Sequence, residues 1–113
     1  MLPQTKRLNL KKDFNWVASG KKAENDLIKV FFRFGENGEP KIGIALSKVS
    51  FKKATDRNRA RRLVSSGFEY LYPEISKDIN IIALPKTQIL KVNSEEVKKA
   101  LAQILRKNGL LKS

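Results

Sequence analysis

The chain has 113 residues, enough for one modest hydrophobic core and not two. Lysine and arginine number 24 against 11 aspartates and glutamates, and the resulting net charge of +13 calls for a polyanionic partner, either a phosphate chain or an anionic surface. Cysteine and histidine are absent, which excludes disulfides, thiol nucleophiles, Cys/His zinc sites and imidazole acid–base chemistry.

The segment MLPQTKRLNLKKDF has no apolar run between its charges, and no stretch approaches the roughly 18 apolar residues of a membrane span. A soluble, cytoplasmic protein is the expectation. With no repeat or linker-like tract, residues 1–113 are expected to form one domain.

Leu10, Phe14 and Val17 recur at helical spacing, which predicts a first helix over Leu10–Ser19, stopped by Gly20. Leu27–Phe34 alternates as a strand, with Ile28, Val30, Phe32 and Phe34 on one face and Leu27, Lys29, Phe31 and Arg33 on the other. The turn residues GENGEP follow, and Lys41–Lys48 alternates again, so the two strands are expected to pair as an antiparallel hairpin. Ala60, Leu63, Val64, Gly67, Phe68 and Leu71 form a single stripe on a long helix over Lys53–Leu71. Pro73 ends it. Ile79–Leu84 is continuously apolar, which predicts an interior strand that joins the hairpin and stops at Pro85. A last helix starts at Asn93, with Glu96 in capping-box spacing, and runs to Asn108-Gly109. Periodicity therefore gives the order αββαβα.

Charge is densest where the long helix begins. Lys48, Lys52, Lys53, Arg57, Arg59, Arg61 and Arg62 fall within fifteen residues that hold only one acid, Asp56. A merely solvated helix face would intersperse glutamate and favour lysine. Guanidinium groups pair bidentately with phosphate and stack on bases, so an arginine-rich face points to nucleic acid, with RNA the expected partner. At 100° per residue Arg57 and Arg61 flank the apolar stripe, Arg59 lies near its other margin, and Asn58 and Arg62 occupy the open back.

A second candidate surface is the strand face carrying Lys29, Phe31 and Arg33, beside Gly43, Ala45 and Ser47. It has the composition of a groove floor for single-stranded nucleotides, with Phe31 stacking on bases and the cations meeting phosphates. Coverage of that face by a helix, with Phe31 in the core, accounts for the periodicity equally well. Phe14 shares a face with Leu10 and Val17 and fits core packing slightly better; Trp16 points elsewhere, as an anchor or as a stacking platform. For catalysis the inventory is poor: the carboxylates are scattered, with no metal-ligand spacing and no nucleophile–base pair beyond combinations such as Ser47-Lys48. No metal site and no catalytic residue is expected in the chain itself.

Leu2-Pro3, Arg7-Leu8, Asp13-Phe14 with Val17, the strand ending in Ser47-Lys48, Ala54, and Arg57-Asn58-Arg59 with Arg61-Arg62-Leu63 resemble the bacterial ribonuclease P protein subunit over essentially the whole chain. The resemblance implies an α+β fold, an αβββαβα-type sandwich with a central mixed sheet and a left-handed βαβ crossover through the basic helix. It implies a non-catalytic protein that partners a catalytic RNA, which uses Mg2+ to cleave the 5′ leader from precursor tRNA. By the same resemblance, Lys48, Lys52, Lys53, Arg57, Asn58, Arg59, Arg61 and Arg62 contact the RNA subunit. Phe14, Lys29, Phe31, Arg33 and Ser47 line a cleft for the leader. Three features depart from the family pattern: Ala18 stands where a second aromatic is common, Ser65-Ser66 where Arg-Glu is usual, and a basic C-terminal extension is lacking. A ribosomal or other structural RNA-binding protein is the alternative that the charge allows; an autonomous nuclease would need a carboxylate cluster.

Overall fold

The computed structural model describes residues 2–112. Three α-helices and four strands alternate as α1 (Leu10–Ala18), β1 (Lys21–Glu24), β2 (Ile28–Phe34), β3 (Lys41–Ile44), α2 (Ala54–Leu71), β4 (Ile79–Pro85) and α3 (Ser94–Lys107), the order αβββαβα.

The strands lie in the order β1-β2-β4-β3, with β1 antiparallel to β2, β2 antiparallel to β4, and β3 parallel to β4. This corrects the expected hairpin. β2 and β3 never pair; β4 lies between them, because INIIAL has no polar face to leave in water and both its edges need ladder partners. The chain reaches β4 from the parallel β3 by a crossover through α2. The hairpin partner of β2 is instead β1, a strand too polar (KKAE) for periodicity to reveal. Its turn is set by Asn25, whose side-chain oxygen accepts from the amides of Leu27 and Ile28 at 3.0 Å each while its amide nitrogen donates to the Ala100 carbonyl. β3 is also shorter than Lys41–Lys48. The Ala45 amide still donates to the Ala83 carbonyl, and then Ser47 turns the chain, its hydroxyl accepting from the amides of Val49 and Ser50.

The sheet faces follow the strand alternation. Ile28, Val30, Phe32, Ile42, Ile79, Ile81 and Ala83 form the main core with Ala60, Val64 and Phe68 of α2 and Val97, Leu101 and Leu105 of α3, all of them buried. Gly67 makes the helix crossing possible: a Cβ there would lie 2.6 Å from a methyl of Leu101. Phe51 plugs this core from the loop before α2. The opposite face carries a smaller core of Leu8, Val17 and Ile82, onto which Leu10, Phe14, Phe31, Ala45 and Leu84 pack while half-buried. The cause is length. α1 has 9 residues, about 13 Å of helix, too short to roof the sheet as extensively as α2 and α3, with 18 and 14 residues, do on the other side. Asn9 caps α1 and Asn93 caps α3, each side-chain oxygen accepting an amide three residues on.

Candidate nucleic-acid interface

The first cationic surface is the N-terminal half of α2. Lys52, Lys53, Asn58, Arg59 and Arg62 are exposed there, as is Lys48 in the preceding turn. The arginines divide into two kinds. Arg57 is half-buried, and its guanidinium donates to the carbonyls of Phe51 at 2.7 Å and Lys52 at 3.2 Å, so it ties the incoming loop to the first turn of the helix. Arg61 is half-buried and donates to Asn58 Oδ1 at 3.3 Å. Arg59 and Arg62 stand free of any described hydrogen bond and point their charge to solvent. Asp56, in the first turn, complements the positive end of the helix dipole and leaves the face basic. Ser65, one of the departures from the family pattern, is 3% exposed.

The second surface is the open part of the sheet under α1. Strand register places Lys22, Phe31, Ile82 and Gly43 side by side in one row across the four strands, with Lys29 and Leu84 in the next. Lys29 Nζ lies 5.2 Å from the centroid of the Phe31 ring. Phe31 resolves the open choice in both directions: one part of the ring packs on the Val17–Ile82 cluster, as does Phe14, and the remainder faces outward. Arg33 is exposed and its guanidinium stacks over the Trp16 ring at 4.7 Å. Ser47 is exposed in the turn that follows β3, with its hydroxyl oxygen occupied by the turn it caps. Gly43 is required by close approach, since a Cβ there would come within 2.6 Å of a Leu10 methyl and lift α1 from the sheet.

The two surfaces lie on different layers and meet at the β3 edge. A cavity there is lined by Arg7 and Leu10 from the N-terminal side, Ile42 and Gly43 from β3, and Arg61 and Ser65 from α2. Arg7 is fixed at its rim: its backbone bridges Ile42 and its Nε donates to the Leu2 carbonyl at 2.8 Å. Arg7 and Lys22 are site-forming residues that sequence patterns did not assign. Among the described residues no three Asp or Glu side chains converge on a common point.

A family model described as Ribonuclease P matches residues 2–109. The chain is 39% identical over 84 residues to the ribonuclease P protein component of Legionella pneumophila (strain Corby), covering 73% of this chain and 72% of that protein. It is 28% identical over 109 residues to the component from Oceanobacillus iheyensis, covering 95% and 89%. Among solved structures, the RNase P protein from Thermotoga maritima superposes with a TM-score of 0.81 at 28% identity, over 89% of this chain and 96% of that one. The Staphylococcus aureus RNase P protein, at 18% identity and a TM-score of 0.81 over 94% and 97%, shares the fold. These matches do not favour the structural RNA-binding alternative: the chain belongs to the ribonuclease P protein family, as the protein component of a ribonucleoprotein enzyme that processes tRNA and has an RNA subunit as its partner.

Proposed function

We propose that this protein grips the RNA subunit with the exposed cations of α2 and holds the 5′ leader of precursor tRNA on the open sheet face under α1. The observation that carries this reading is the separation of two cationic surfaces by the sheet. Lys52, Lys53, Arg59 and Arg62 project from the α2 layer, whereas Lys29, Phe31 and Arg33 lie on the face that α1 leaves partly uncovered. Two RNA strands can thus be bound at once without sharing a groove. Catalytic RNA and substrate repel each other, and a protein of charge +13 placed between them lowers that repulsion. Phosphate contacts from α2 supply affinity and register; stacking on Phe31 supplies a preference for an unpaired strand. The Mg2+ that the reaction needs is held by the RNA in this scheme, and the chain contributes position and charge. The cytoplasm is the proposed compartment; no helix among the described residues is long and apolar enough to cross a membrane.

Cleavage of precursor tRNA by a bacterial ribonuclease P RNA, with and without this protein at low magnesium, tests the assignment. The protein is expected to restore cleavage and to lower the substrate concentration at half-saturation for leader-bearing precursors. Cleavage by the protein alone, or no effect on the RNA, would overturn it.

A further inference from the structure

Trp16 is the only tryptophan in the chain and is 41% exposed. The leader surface described above does not use it. Arg33 holds the indole in a fixed stack: its guanidinium sits 4.7 Å over the ring while donating to the Trp16 carbonyl at 3.2 Å and to Ser19 Oγ at 3.0 Å. Ser19 Oγ in turn donates to the same carbonyl at 2.8 Å. The backbone is shaped to bring these groups together. Gly20 passes so close to the end of β2 that a Cβ would lie 2.6 Å from the Phe32 carbonyl oxygen, so only glycine lets α1 end against Arg33.

Alternation along β2 puts Lys29, Phe31 and Arg33 on one face in steps of about 6.7 Å. With Lys29 over Phe31 and Arg33 over Trp16, the face carries a continuous row of cation, aromatic, cation and aromatic. Such a row presents a stacking plane and a positive charge at each step, the two features that an unpaired phosphate chain requires.

We infer that the Trp16–Arg33 stack is an outer subsite that takes a further nucleotide of the leader, beyond the one at Phe31. The base lies on the indole–guanidinium plane, and its phosphates meet Arg33. The inference rests on the reading of the sheet face as the leader surface, and the experiment keeps the two apart.

The holoenzyme, assembled with a bacterial ribonuclease P RNA, is titrated with precursor tRNAs whose leaders lengthen one nucleotide at a time, using wild type, Trp16→Ala, Trp16→Phe and Phe31→Ala. Wild type is expected to gain affinity in two stages. Trp16→Ala should lose only the second, a weakening of about 5- to 150-fold confined to the longer leaders, while Trp16→Phe retains most of it. Because Trp16 is the sole tryptophan, its emission reports on the subsite directly and should be quenched by long leaders and not by short ones. Equal affinities for Trp16→Ala and wild type at every length, with Phe31→Ala still impaired, would leave the leader surface standing and overturn the outer subsite. A loss in Trp16→Ala that extends equally to leaderless tRNA would reduce Trp16 to a structural brace. No length dependence in the wild type would remove the leader reading itself, and the subsite with it.

Discussion

At the scale of single residues, arginines that look alike in the sequence do different work. Arg57 donates to two backbone carbonyls of the loop that carries buried Phe51, and charge-assisted hydrogen bonds of this kind contribute on the order of 1.5 to 3 kcal/mol. Arg57→Ala is therefore expected to lower the melting temperature of the free protein. Arg59→Ala and Arg62→Ala should leave it unchanged and instead flatten the salt dependence of RNA binding, each by roughly 0.7 to 0.9 in log–log slope for a lost phosphate contact. A slope unchanged in both variants would show that these two arginines are only solvated. Tyr72 provides a second residue-scale test. Its hydroxyl donates to the Pro40 carbonyl at 2.6 Å, and burial, assisted by the nearby Glu39 carboxylate, pushes its pKa up to about 12. A raised folded-state value means that the unfolded chain ionises first, so this contribution is intact below the ordinary tyrosine range near 10 and is lost as pH climbs towards about 12. Urea denaturation between these limits should show a smaller loss of stability in Tyr72→Phe than in wild type. Parallel losses would mean that lysine titration alone sets the alkaline limit.

Among the elements, the crossing of α2 with α3 and the placement of β4 decide the fold. Gly67→Ala sets two effects against each other: a gain of up to about 1 kcal/mol in helix propensity and an overpacking cost of roughly 1 to 3 kcal/mol. Leu101 is fully buried and its methyl lies 2.6 Å from where the new Cβ would sit, so the cost should win and the denaturation midpoint should fall. A higher midpoint would show that Leu101 has another rotamer available. The periodicity of α1, α2, α3 and β2 was legible because each buries one face, and burial imprints its spacing on the sequence. β1 left no imprint. Its residues are exposed or half-exposed at a sheet edge, and what holds it is a backbone ladder with β2 that any side chains permit.

For the molecule as a whole, a charge of +13 acts in opposite directions on folding and on binding. The free protein repels itself, so raising the salt concentration from a low value should increase its melting temperature, while affinity for RNA falls over the same range. A melting temperature indifferent to salt would mean that the cations already stand too far apart in solvent to interact. On the second core, α1 is too short to close the sheet face, and the uncovered strip is the proposed leader surface.

By itself the sequence determined the kind of partner, the helices, the split of α2 into an apolar stripe and a basic fan, and the interior character of INIIAL, since each depends on residues near one another in the chain. It also marked Lys29, Phe31 and Arg33 of the sheet surface, but not Lys22 beside them on β1. Only the tertiary structure decided that β4 separates β2 from β3, that Arg57 ties down its own loop, and that Phe31 is shared between core and surface. The stack of Arg33 on Trp16 belongs with these. Periodicity records whether a position is buried, while the identity of its neighbour depends on strand order and on close approaches such as that at Gly20, which local spacing does not encode.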